Sequence, residues 1–246
     1  MSAFGRWLAW VLAALLLLQL YFVARVAVMV VVNPTSTAFQ RSEAWRLRGA
    51  TNAPKWRQQW VAYDQISDHL KRAVIASEDD GFVHHDGVDW AAIEKAWQKN
   101  AQAQRRASSA APLSPTARPA VRPPKIVGGS TITQQLAKNL FLSGERTLMR
   151  KAQEFVITLS LELLLSKQRI LEIYLNSVEW GEGVYGAEAA AQRYFGKSAA
   201  RLTAPEAARL AVMLPRPKYF EKQPQSSYLA GRTAVILARM PNAVLP

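Results

Sequence analysis

The sequence predicts a mostly α-helical domain behind a single N-terminal transmembrane helix. Three observations carry that fold class. Residues Trp7 to Val32 are almost continuously apolar, broken only by Gln19 and Arg25. Beyond them, apolar residues recur at helical spacing in one segment after another. No long period-two alternation marks a sheet. With 246 residues, half of them hydrophobic, the chain can form one domain of ordinary size plus an appendage.

Taken in order, residues 1–6 form a short tail and residues 7–32 an anchor long enough to cross a bilayer. The apolar run is too long for the core of an ordinary cleaved leader, and no convincing cleavage site follows it. Only Arg6 precedes the span while Arg41, Arg46 and Arg48 follow it, so the charge count does not favour an inside N-terminus. Residues 33–60 form a juxtamembrane segment. It opens with the polar break Asn33-Pro34-Thr35-Ser36-Thr37 and continues with Trp45, Trp56 and Trp60 among arginines and glutamines. Such tryptophans suit either headgroup level or the edge of a core.

The domain proper spans residues 61–246. Ile66, Leu70, Ala73 and Val74 share one helical face, as do Trp90, Ile93 and Trp97. Further helices are predicted through 131–141, 147–165, 167–176, 185–195, 204–214 and 227–240. Thr203-Ala204-Pro205-Glu206 is a capping-box signature. Between Asn100 and Gly128 the composition turns to Ala, Pro, Ser and Arg, which predicts a flexible, basic insertion over 101–125, solvated in preference to lipid- or polymer-binding.

The excess of 31 Lys+Arg over 18 Asp+Glu, a net charge of +13, suits nucleic acid, an acidic membrane surface or a phosphorylated substrate. The absence of cysteine excludes disulfides and thiolate metal sites. His69, His84 and His85 do not make a zinc-helix pattern, so no dedicated transition-metal site is expected.

Three clusters carry chemistry. Glu78, Asp79 and Asp80 crowd the end of a helix, where the dipole and mutual repulsion both disfavour negative charge. A carboxylate with a raised pKa is what a general base near neutral pH needs, although acid clusters at helix ends are more often solvated turns. The run Gly128-Gly129-Ser130-Thr131-Ile132-Thr133-Gln134-Gln135-Leu136-Ala137-Lys138-Asn139 places glycines, hydroxyls, amides and a lysine at a helix start, which suits an anionic, oxygen-rich ligand. Ser130 also fits a plain N-cap. Arg150, Lys151 and Glu154 read either as an exposed ion pair or as a phosphate clamp beside a second carboxylate.

These clusters resemble the peptidoglycan glycosyltransferases of family 51. The resemblance rests on Glu78-Asp79-x-x-Phe82-x-x-His85-x-Gly87, on Gly128 through Asn139, and on Arg150-Lys151-x-x-Glu154. It continues through Lys167-x-x-Ile170-Leu171-Glu172-x-Tyr174-Leu175-Asn176 and the Tyr194-Phe195-Gly196-Lys197 to Ala208 region, and so covers about residues 60 to 240. Neither Ser-x-x-Lys nor Lys-Thr-Gly occurs, so the chain looks like a monofunctional enzyme without transpeptidase chemistry. The insertion at 101–125 departs from the family pattern but alters none of these motif residues.

The resemblance implies a lysozyme-like helical glycosyltransferase domain anchored in a bacterial inner membrane by one span, with the enzyme in the periplasm. It implies that lipid II disaccharides are joined by β-1,4 bonds with inversion and release of undecaprenyl pyrophosphate. Glu78 and Glu154 would be catalytic. Asp79, Phe82, His85, Gly128, Gly129, Ser130, Thr131, Gln134, Gln135, Lys138, Asn139, Arg150, Lys151, Glu172 and Asn176 would bind substrate. Glu154 would orient the cations, assist departure or hold a divalent ion, Mg2+ or Mn2+; no cofactor is otherwise expected. The expected partners are lipid II, the growing glycan strand and membrane lipids, with other cell-wall synthesis or division proteins left open and nucleic acid not expected. Two rivals remain, a lysozyme-like hydrolase, which needs no phosphate clamp, and a membrane-tethered basic binding protein.

Overall fold

The computed structural model describes residues 2–48, 55–109, 129–142, 144–145 and 147–246 of the protein. The first helix, α1 (Ala3–Val28), begins earlier than the apolar run because Ser2 caps it, its hydroxyl accepting from Gly5 N at 3.2 Å. It also ends four residues before Val32. Met29 is buried against the domain and Asn33-Pro34 follows, so the chain turns there. This is one helix long and apolar enough to cross a membrane.

The described parts of residues 33–60 pack on the domain. Helix α2 (Ala38–Leu47) carries a capping box in which Thr37 and Gln40 satisfy each other's backbone N–H. Gln40 reaches on to Ser177 O at 3.2 Å. Strand β1 (Arg57–Gln58) then joins a small sheet with β2 (Glu179–Gly181) and β3 (Val184–Tyr185), in the order β1-β3-β2. β1 runs parallel and β2 antiparallel to β3. Trp56 stacks on Tyr185 with centroids 4.4 Å apart, and Trp60 packs under Arg169, while Trp45 is exposed. The three tryptophans thus divide between domain and solvent-facing roles.

The body is helical, as expected: α3 (Asp68–Glu78), α4 (Trp90–Ser109), α5 (Ile132–Phe141), α6 (Leu148–Leu164), α7 (Lys167–Ser177), α8 (Ala187–Phe195), α9 (Ala204–Met213), α10 (Pro217–Glu221) and α11 (Ser227–Arg239). α3, α9 and α11 pack as one layer, with small residues Ala73, Ala76, Ala207, Ala208 and Ala211 buried so that the backbones approach closely. α5, α6 and α7 form a second group, against which α1 and α2 lie. Buried Leu70, Leu136, Ile157, Leu161 and Ile170 hold the core, each contributing about 1.5–3 kcal/mol by burial. The predicted capping box of α9 is present, and Lys197 with Thr203 holds the Glu206 carboxyl down at about 2.

Two expectations are corrected. The helix read over 185–195 starts only at Ala187, because Gly186 takes φ 83 and a Cβ there would lie 2.7 Å from Asn176 O. The Trp90, Ile93, Trp97 stripe lies on helix α4, as read, and these residues are 68%, 37% and 74% exposed. Helix α4 also runs through residues 101–109, the start of the stretch read as a flexible insertion; the rest of that stretch lies outside the described residues.

Candidate active site

Helix α3 delivers Glu78 as its last residue, and the chain then turns sharply, with Asp79 at φ -162 and ψ 74. That turn separates the three acids. Asp79, buried, points away from Glu78 to accept from Ile132 N at 2.9 Å, and its other oxygen lies 2.8 Å from His85 Nε2. Asp80 pairs with Arg239 at 3.0 Å. Glu78 is left to accept from Ser77 Oγ and Gln135 Nε2, each at 3.2 Å. Its pKa is raised, as the sequence predicts. Burial is the largest cause, and repulsion from Asp79 adds a smaller push in the same direction.

Helix α5 starts one residue later than a Ser130 cap would place it. Thr131 is the N-cap, in a capping box with Gln134, and its hydroxyl donates to Gly87 O at 2.7 Å. This frees Ser130 to face the cavity and locks the 79–87 loop against α5. Gln135, Lys138 and Asn139 follow on the cavity side of the helix.

Helix α6 contributes the cations. Arg150 donates to Glu154 Oε2 at 2.8 Å, and Lys151 bonds to Glu154 Oε1. Glu154 is buried, with only 4% of its surface exposed, so this is no solvated surface pair. Arg150 Nε is buried without a hydrogen-bond partner. Such a donor is costly to leave unpaired in the interior.

One cavity of about 620 Å³ gathers Glu78, Ser130, Gln134, Gln135, Lys138, Asn139, Arg150, Lys151 and Glu154. A smaller one, about 220 Å³, shares Glu78 and Ser130 with it and adds Asp79, Gly129 and Thr131. Four other expected site residues lie away from both. Phe82 is buried in the core beneath the Lys167 ammonium, 4.7 Å from its ring, and His85 braces Asp79. Glu172 is paired with Arg169 at 2.8 Å, and Arg169 also binds Met29 O and Asn33 Oδ1, tying α7 to the chain just beyond α1. Asn176 is fully buried and clamps the Val61 backbone, accepting from its N and donating to its O, both at 2.9 Å. Gly128 lies outside the described residues.

The cavity walls hold residues that sequence reading missed. Phe39 comes from α2, Glu179 from β2, and Leu214, Pro215 and Pro217 from the α9–α10 turn. Burial raises the Glu179 pKa despite Lys218 at 3.2 Å. Tyr174, noted only as part of a motif, reaches Gln135 at 2.9 Å. For a resident divalent ion the donor set does not fit. Both Glu154 oxygens are taken by cations, and among the described residues no three His, Cys, Asp or Glu side chains gather where they could hold a metal.

The family described as Transglycosylase matches residues 47–114 and 118–241, and the chain belongs to that family. Among curated relatives, it is similar to a protein named biosynthetic peptidoglycan transglycosylase from Burkholderia thailandensis, 53% identical over 98% of this chain and 89% of the relative. Another of that name from Herminiimonas arsenicoxydans is 52% identical over 94% of this chain and 92% of its own length.

Proposed function

We infer that the protein polymerises the glycan strands of peptidoglycan, joining lipid II disaccharides through β-1,4 bonds with inversion and release of undecaprenyl pyrophosphate. The observation that carries this reading is the single cavity in which Glu78 faces Lys138, Arg150 and Lys151. A sugar hydroxyl attacks well only as its proton leaves. Glu78, its affinity for protons raised by burial, takes that proton from the C4 hydroxyl of the acceptor. The hydroxyl oxygen forms the new bond at the anomeric carbon from the face opposite the pyrophosphate, which departs with the bonding pair. Lys138, Arg150 and Lys151 stabilise the developing charge. Glu154 holds the two α6 cations in place. A hydrolase acting through water has no use for that cationic wall.

The membrane side of the reading rests on α1. Gln19 and Gln153 exchange hydrogen bonds at 2.9 and 3.0 Å, and Val26 is fully buried, so the last turns of α1 are fastened to the domain. Phe155, Val156, Leu159 and Leu163 form an exposed apolar face on α6. This arrangement supports a single-pass inner-membrane enzyme whose domain rests on the periplasmic leaflet, with that face in lipid.

The test uses detergent-solubilised protein and fluorescent lipid II, with products run on a gel before and after muramidase. A muramidase-sensitive ladder from wild type, absent for Glu78→Gln, is the expected result. Shortening of pre-made strands with no ladder would overturn the polymerase reading.

A further inference from the structure

We infer that Tyr174 is a positioning residue for Glu78: its hydroxyl fixes the Gln135 amide so that the amide N–H points at the carboxylate. The inference rests on Glu78 being the base. Tyr174 OH donates to Gln135 Oε1 at 2.9 Å, and Gln135 Nε2 donates to Glu78 Oε2 at 3.2 Å. The same amide nitrogen also faces Ser130 O at 3.5 Å. Tyr174 is 1% exposed, locked in α7, and has no access to the cavity.

An amide side chain presents a donor at one end and an acceptor at the other, and nothing in its shape selects between them. The phenol makes that selection. Burial first, and then the negative charges of Glu78 and Asp79, raise the Tyr174 pKa well above its usual value, so the hydroxyl keeps its proton. With that proton bound to Oε1, Nε2 must face Glu78. A donor at Oε2 favours the carboxylate and offsets part of the burial that opposes it. Turned the other way, the amide would present oxygen to oxygen and favour protonated Glu78, which cannot accept a proton from the acceptor sugar.

The other charges around Glu78 are independent of this contact. Asp79 and, on α11, Arg232 act on it directly. Across the cavity stand Lys138, the Arg150–Lys151–Glu154 cluster and Glu179. Behind it lie Asp89 and the Asp80–Arg239 pair. Tyr174→Phe removes one hydroxyl and leaves all of them in place.

The experiment is the pH profile of kcat/KM for lipid II polymerisation by full-length wild type, Tyr174→Phe and Glu78→Gln. For Tyr174→Phe the acid limb is expected to move to higher pH by about one unit, the scale of one hydrogen bond to a charged group. Activity should fall below the wild-type limb and recover on its alkaline side, with KM unchanged. A uniform loss at every pH, or an unmoved limb, would overturn the inference and leave Tyr174 a packing residue. Should Tyr174→Phe not fold, Gln135→Met provides the same reading, since it removes the donor while keeping Tyr174; an unmoved limb there also overturns it. A Glu78→Gln enzyme that still polymerises with a normal acid limb would defeat the base assignment itself. An inactive Glu78→Gln beside an unmoved Tyr174→Phe limb would defeat only the positioning role.

Discussion

Replacing Gly87 by alanine tests how tightly the 79–87 loop is docked beside the site. Gly87 sits at φ 86, and a Cβ there would lie 2.7 Å from Thr158 Cγ2 and 2.9 Å from Glu162 Cγ. Neither neighbour can yield cheaply. Thr158 is fully buried with its hydroxyl bonded to Glu154 O at 2.8 Å. Glu162 is held by Thr133 at 2.6 Å and by Lys167 at 2.8 Å. The left-handed backbone costs about 1–3 kcal/mol and the overpacking about 1–3 more. At roughly 2–4 °C per kcal/mol for a protein of this size, melting should fall by on the order of 5–20 °C. Thermal unfolding followed by tryptophan fluorescence in detergent measures it. A variant melting within about 1 °C of wild type would show that the loop is not confined as described.

Two further outcomes follow from the same geometry. The folded-state pKa of Glu78 lies above the ordinary 4.5, so folding favours the protonated form and the ionised carboxylate costs stability as pH rises through that window. Glu78→Gln should therefore melt above wild type at neutral pH, and the gap should close as pH is lowered toward 4.5; a variant melting below wild type at neutral pH contradicts this sign. Asn176→Ala leaves both Val61 backbone groups without their partner, a cost of about 2–4 kcal/mol. It should lower the melting temperature without changing KM for lipid II, and a raised KM at unchanged melting would return Asn176 to a binding role.

The helices were legible from their apolar spacing, and for α9 also from the capping box at Thr203; the caps Ser67 of α3 and Thr147 of α6 came from the structure. Periodicity reports a stripe but not what covers it. Trp90, Ile93 and Trp97 keep helical spacing and yet stay exposed, with Ala96 on the buried side. The sheet escaped notice because strands of two or three residues are too short to alternate. In the site, local chemistry was readable: an acid at a helix end, a polar run at a helix start and cations one turn before a carboxylate. Tertiary chemistry was not. Nothing in the motif around Glu172, Tyr174 and Asn176 says that the tyrosine turns toward Gln135 while its two neighbours serve the scaffold. Phe39 and Pro215 carry no local signature at all, since an apolar residue becomes a cavity wall only through what folds opposite it.

The family match begins at residue 47, but α2 begins at Ala38 and puts Phe39 into the cavity. Glu43, one turn further along, binds Lys218 at 2.6 Å, and Lys218 in turn lies 3.2 Å from Glu179 on the cavity wall. A boundary drawn where the family similarity starts would therefore cut through the reaction chamber, removing part of its lining along with α1 and most of α2. The segment that follows α1 is also masonry of the room in which this enzyme works.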